Sequence, residues 1–257
     1  MITVAYNVYS FVGYVHQPNW VRGKVGGKVS VDGAREIGEA LLSYGSDIVT
    51  TSESHDEAAV AALAEAMAFE HVYFESPGLW PGGLVTRYKV LEAGNCPLGH
   101  KRRADLFTRH WGRAVLEMDD GEPLIVHSVH TFAGWADVRC WEVKQMLEVM
   151  KGDLATGHSV IVQGDFNHTP YGPEYAWWLE AGLVDTFAQI HGETDDGKTL
   201  LRPQPRDRLD YVLAGGPIKN QLVEARPLYE DDFRLYKDQL DFVALSDHLP
   251  QLAKFEV

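Results

Sequence analysis

Short apolar runs that end on carboxylates, amides and imidazoles set the tightest limit on what this chain can fold into. Ser159–Gln163 runs straight into Gly164-Asp165-Phe166-Asn167. Arg208-Leu209-Asp210-Tyr211-Val212-Leu213 sets an Asp inside an apolar segment, and Ser246-Asp247-His248-Leu249-Pro250 sets an Asp and a His just before another. Short runs rich in apolar and β-branched residues read as strands. A charged group on such a strand must be paired, hydrogen-bonded or bound to a metal. The fold must therefore bring several strand ends together so that their polar groups satisfy one another. Asp, Asn and His are also the donor set of a hard-cation site that handles phosphate.

At 257 residues the chain is one large domain or two small ones, and 45% hydrophobic residues suffice for a sizeable core. No apolar run reaches the ~18 residues of a membrane span. The start, MITVAYNVYSFVGY, has no basic segment and reads as a first strand rather than a signal peptide. Cys96 and Cys140 make no disulfide framework; two free thiols point to the cytoplasm. Lys and Arg number 23 against 37 Asp and Glu, a net charge of −14. Gripping a long duplex or an anionic membrane needs basic groups to neutralise phosphates. The acidic balance argues against both, and a monomer or weak associate is expected. Lys101, Arg102 and Arg103 form the one basic cluster, read as a solvated loop with an anionic ligand as the other option.

Strand-like and helical segments alternate. Thr3–Tyr9, Asp47–Thr51, His71–Glu75, Arg113–Met118, Leu124–Thr131, Ser159–Gln163, Arg208–Leu213, Gln221–Arg226 and Leu249–Phe255 read as strands. Gly83–Thr86 and Val90–Ala93 read as a hairpin pair, and the turn Asp119–Pro123 joins another. Ala34–Ser43, Asp56–Phe69 with Asp56 as N-cap, Ala136–Met150 and Pro173–Glu180 read as helices. The glycine-rich Gly13–Gly33 reads as a long loop. This pattern fits a mixed α/β (α+β) fold with a sheet-on-sheet core and helices outside.

Asn is depleted in strands, so Asn7 inside Val4–Tyr9 needs a partner: a neighbouring backbone, or a metal or its carboxylate. Glu53 ends the strand from Asp47 and could reach a site shared by strand ends, with His55 facing the same cleft. Strand alternation puts His130 on the face of Ser128 and opposite His127. Asp165 and Asn167, two apart, would share a face in extended geometry, with Gly164 allowing close approach of a backbone or ligand. Asp165 could orient or deprotonate a water and Asn167 donate to a phosphate oxygen, unless both merely cap a turn. Asp210 is read as mid-strand, with His248 its natural partner and Asp247 left for a cation. There is no nucleophile elbow, P-loop, HExxH or CxxC, which removes serine hydrolases, P-loop NTPases and structural zinc.

In this order, from Asn7 to His248, these residues resemble the endonuclease/exonuclease/phosphatase superfamily of deoxyribonuclease I-like phosphoesterases. GDFN, RLDYVL and SDHLP carry the resemblance. It implies a single catalytic domain over 1–257, a four-layer α/β sandwich of two mixed sheets packed face to face with helices outside, and in-line attack of water on phosphorus with Mg²⁺ or Mn²⁺. It implies metal ligation by Asn7, Glu53 and Asp247, water activation by Asp165 and phosphate holding by Asn167. His130 would stabilise the transition state, and Asp210 with His248 would bind phosphate and transfer protons. The chain departs from the pattern at Ser52, where the superfamily has Gln, and at Ser128-Val129-His130-Thr131, where it has Asn-Thr-His-Leu. The substrate is expected to be a small-molecule or headgroup phosphoester, with a DNA or RNA nuclease as the alternative. Gly13–Gly33 with His16, Trp20, Arg22 and Lys24, together with Trp135 and Lys198–Arg206, would flank the site. An inactive binding module should have lost one of Glu53, Asp165, Asp210, Asp247 or His248, and all are present.

Overall fold

A computed structural model describes residues 1–16, 31–96, 107–192, 194, 196–202, 204–230, 233–236 and 242–257. Two six-stranded sheets form the centre. The first runs β14 (Leu222–Pro227), β17 (Gln251–Phe255), β1 (Ile2–Asn7), β3 (Ile48–Ser52), β5 (Gly82–Thr86), β4 (Glu70–Phe74). The second runs β10 (Val184–Asp185), β13 (Asp210–Gly215), β9 (Ser159–Asp165), β8 (Pro123–His130), β7 (Trp111–Glu117), β6 (Lys89–Asn95). Each contains one parallel pair, β1 with β3 and β8 with β9; the other pairings are antiparallel, so both sheets are mixed. Short strands β2 (Tyr14–His16), β15 (Arg234–Tyr236) and β16 (Phe242–Ala244) form a small third sheet, and β11 (Leu201–Arg202) pairs with β12 (Gln204–Pro205).

Alternation along the strands builds the layers. Ala5, Ile48, Phe74 and Leu84 of the first sheet pack against Ala114, Leu116, Val126, Ile161 and Val212 of the second. The opposite face of the first sheet, through Val4, Tyr6, Val49 and Val85, takes helices α1 (Val31–Ser43) and α2 (Glu57–Met67). Ile125, Val129, Val160, Val162 and Tyr211 take α3 (Ala136–Ala155) and α4 (Pro173–Glu180) on the outside of the second. A last short helix, α5 (Thr186–His191), is N-capped by Asp185. The result is the four-layer sandwich expected, and Asp56 caps α2 by accepting from Ala58 N at 3.0 Å.

Three expectations need correction. Gly83–Thr86 and Val90–Ala93 do not pair: β5 lies in the first sheet between β3 and β4, and β6 pairs with β7 at the edge of the second. The turn between them crosses from one layer to the other, which a local hairpin signal cannot distinguish. Asp210 opens β13 rather than lying within it. The segment from Gly13 is partly strand, since β2 pairs with β16, and α1 begins at Val31. Trp20, Arg22 and Lys24, like Lys101, Arg102 and Arg103, lie outside the described residues.

Candidate active site

Asn7, Ser128, His130, Asp165 and Asp210 sit on faces turned toward the opposing sheet, because each is an even number of residues from an inward-facing neighbour. Asn7 is two from Ala5, His130 four from Val126, Asp165 four from Ile161 and Asp210 two from Val212. Strand register completes the convergence: His130 is the parallel partner of Asp165, and Asp210 its antiparallel partner. Gly164 permits this. Its φ is +144°, and a Cβ there would lie 1.9 Å from Val129 O on β8, so the close approach is to a neighbouring backbone. His127, on the outer face, meets Asp153 of α3 instead, at 2.8 Å.

Asp165 Oδ2 is the focus of the site. Asn7 Nδ2 donates to it at 3.0 Å, His130 Nε2 lies 3.4 Å away and His248 Nε2 4.0 Å away. Burial pushes the Asp165 carboxyl up, but His130, His248 and Asn7 outweigh it and hold the group well below the usual carboxylate range. Burial lowers His130, helped by Arg109 and opposed by Asp165, and the net shift is downward, favouring a neutral ring. His248 Nδ1 lies 2.7 Å from Asp210 Oδ2, which Thr199 Oγ1 also approaches at 2.5 Å. Burial disfavours the His248 charge, but Asp210, then Asp165 and Asp247, raise its pKa well above the ordinary value. The buried pair therefore carries its proton on the imidazole.

Asn167 departs from the extended geometry expected. Its φ is +49°, its backbone N donates to Asp165 Oδ1 at 3.0 Å, and its side-chain amide donates to Thr131 O at 2.9 Å. The strand stops at Asp165, and a local turn aims Asn167. Glu53 also has positive φ, +60°, in a turn whose carbonyl accepts from Ser10 N. His55 faces this turn, 2.7 Å from Ser10 Oγ and packed on Trp80.

Arg109 was not anticipated. It is mostly buried, lies under Trp80 at 4.6 Å, contacts His130 Nε2 and reaches Glu53 Oε1 at 3.5 Å. The only local signal was a basic pair, Arg109-His110, at the start of an apolar strand. Burial pushes His110 down to about 3, and His130 adds to that. Ser128, one of the departures from the expected pattern, bonds His110 at 3.0 Å.

Two features fit a divalent cation. Burial raises Asp247, and although His248 opposes, the charges of Glu53 and Asp165 raise it further, so three carboxylates crowd one region. Asp210 Oδ1 is buried and has no hydrogen-bond partner among the described residues. Among the described residues, Asp165, Asp210 and His248 each offer one ligating atom within 4.8 Å of the others. This group differs from the expected set Asn7, Glu53 and Asp247. In it Asp210 Oδ2 and His248 Nδ1 are spent on each other, so of that pair only Asp210 Oδ1 is left to join the carboxylates of Glu53 and Asp247 around an ion.

Lys198 and Arg206 line a cavity of about 60 Å³ with Thr169 and Tyr171, from the turn that follows Asn167. Trp135 stands 75% exposed at the start of α3. A larger cavity, about 510 Å³, opens around Leu124 and Ser159 at the opposite ends of β8 and β9 and contains none of the candidate residues. No helix among the described residues is long and apolar enough to cross a membrane, and Cys96 and Cys140 form no disulfide among the described residues.

Residues 4–248 match the model of the Endonuclease/Exonuclease/phosphatase family. No curated protein matches the chain in sequence. Among solved structures it is similar to an AP endonuclease from Archaeoglobus fulgidus, with 16% identity, 100% of each chain covered and a TM-score of 0.73. A 3′ phosphatase from Neisseria bound to a product DNA hairpin gives 18% identity, 100% of each chain and 0.71. The mannosyl-6-phosphatase of Bacteroides thetaiotaomicron gives 14% identity, 100% of each chain and 0.72.

Proposed function

The chain belongs to the Endonuclease/Exonuclease/phosphatase family, and from that premise we propose that it is a divalent-metal-dependent phosphoester hydrolase acting on a small-molecule or headgroup phosphoester. The observation that carries the reading is the convergence of Asn7, His130 and His248 on one oxygen of an ionised Asp165. A structural carboxylate needs one such partner; this one is held as an anion beside two imidazoles at the ends of four strands.

The residues divide the work by their protonation and spare hydrogen-bonding capacity. Asp165 stays ionised and orients the attacking water. Asn167 spends one amide N–H on Thr131 O and keeps the second for a phosphate oxygen. His248, charged and oriented by Asp210, presents Nε2–H to the phosphate or the leaving oxygen. Arg109 and neutral His130 add donors on the Glu53 side, where charge develops in the transition state. Glu53 and Asp247, with Asn7 beside them, would hold Mg²⁺ or Mn²⁺, which when bound neutralises charge on the phosphate and leaving oxygens.

The net charge of −14 favours small substrates over polynucleotides. The alternative, a nuclease, is supported by the likeness to structures named for work on DNA. The test is hydrolysis of bis-p-nitrophenyl phosphate, supercoiled plasmid and single-stranded oligonucleotide, each with Mg²⁺, Mn²⁺ or chelator. Metal-dependent turnover of the small diester alone, lost in His248→Ala, is expected. Cleavage of plasmid or oligonucleotide would make it a nuclease, and robust turnover in excess chelator would overturn the mechanism.

A further inference from the structure

Antiparallel pairing of β7 and β8 ends at Trp111 and Val129, with one more bond from His130 N to His110 O at 3.0 Å. Beyond that bond the two segments part, 107–110 on one side and 131–135 on the other. The first carries Arg109; the second follows His130 and holds Asn167 through Thr131 O. Nothing in the ladder ties them together past this point.

Glu142 of α3 closes the gap. Its side chain is buried, with the residue 1% exposed. Thr108 N at 3.0 Å and Thr108 Oγ1 at 2.8 Å both donate to Oε1, and Phe132 N donates to Oε2 at 2.8 Å. Each carboxylate oxygen thus grips one of the two parting segments. Among the described residues no cation forms an ion pair with it. Burial raises its carboxyl above the ordinary value, although the charge of Arg109 acts against this without forming an ion pair. A buried carboxylate so placed is a costly way to fill space, and a neutral or apolar side chain would pack there at less expense. What a carboxylate offers, and neither alternative does, is two acceptors back to back for donors on two separate segments.

The grip bears on the site from both sides. Thr108 precedes Arg109, and its carbonyl packs where a Cβ on Gly78 would stand, 2.1 Å away, which seats the segment carrying Trp80 over Arg109. Phe132 follows Thr131, whose N donates to Asp165 O at 3.1 Å. We propose that Glu142 is a positioning residue that holds Arg109, His130 and Asn167 in register around the phosphate, without itself touching substrate. The proposal rests on the phosphoester-hydrolase reading above.

Glu142→Gln keeps the shape but replaces one acceptor with a donor, so one segment loses its bond. With Mg²⁺ and bis-p-nitrophenyl phosphate, kcat is expected to fall roughly 10- to 100-fold while KM changes little. Because Glu142 acts through its neighbours, the same change in an Arg109→Ala/His130→Ala background should cost less than in the wild type, only the part that passes through Asn167. Hydrogen exchange reads the clamp without substrate: the amides of Thr108 and Phe132 should exchange faster in Glu142→Gln, while the interiors of β7 and β8 stay protected. A full, additive loss in the double-variant background, or faster exchange spread evenly over the fold, would reduce Glu142 to a structural residue. Unchanged protection at Thr108 and Phe132 would overturn the clamp itself. No phosphoester turnover by the wild type would instead overturn the hydrolase reading and the catalytic part of this one.

Discussion

Gly164→Ala should damage the fold and the site together, and its size can be worked from the backbone. At φ +144° an L-residue is strained by about 1–2 kcal/mol. The new methyl would lie 1.9 Å from Val129 O, 2.9 Å from Val129 C and 3.1 Å from Val129 N, all backbone atoms of the paired strand. Ordinary contact is about 3.5–4.0 Å, so β8 and β9 must part. Overpacking of this kind costs about 1–3 kcal/mol, occasionally more. The sum, about 2–5 kcal/mol, lowers Tm by roughly 4–20 °C for a domain of this size. Gly121→Ala is the control: its φ is +85° with nothing within 4 Å of the added Cβ, so it reports backbone strain alone. Both would be followed by urea and thermal unfolding, with the rate on bis-p-nitrophenyl phosphate measured in parallel. Gly164→Ala should exceed Gly121→Ala by at least about 1 kcal/mol and also lose activity, because the strands that part are those that set His130 opposite Asp165. Equal costs for the two variants would refute the reasoning.

Three further outcomes are expected. Asp153 accepts from Arg113 Nε at 3.0 Å, Arg113 Nη2 at 2.8 Å and bonds His127 Nε2 at 2.8 Å, so Asp153→Asn should cost about 3 kcal/mol at pH 7, read by urea unfolding. Burial raises Asp153, but His127 and Arg113 leave it depressed, so its contribution is present above the ordinary carboxylate range and fades as pH falls through the lower folded value. Burial also lowers His127, despite Asp153, and stability is lost as pH falls below about 6.5, where the unfolded ring takes up its proton. Arg109→Ala should weaken competitive inhibition by inorganic phosphate roughly 10- to 100-fold, the worth of one charged hydrogen bond. Unchanged inhibition would place Arg109 outside the phosphate site.

The strands, the helices and the need of Asn7, His130, Asp165, Asp210 and His248 for partners were legible in the sequence, because each of those signals is local. That they share one site was only an implication of the family resemblance. Alternation puts His130 on the face of Ser128 whatever the partner strand is, and a carboxylate in an apolar run demands company wherever it lands. What stayed hidden depended on which strand lies beside which. Gly83–Thr86 and Val90–Ala93 look like a hairpin, and only packing sends them to different sheets. Asn167 is two from Asp165 like any strand neighbour, yet the chain turns there because Thr131 O and the Asp165 carboxylate hold its amides. Arg109 and Glu142 carry no motif; their roles arise because β7 and β8 part beside α3 and leave two segments for one carboxylate to bridge. Local residue pattern marks which groups must be neutralised at strand ends. The tertiary structure alone decided which groups meet there, because strand order and register are settled by long-range packing that no local spacing encodes.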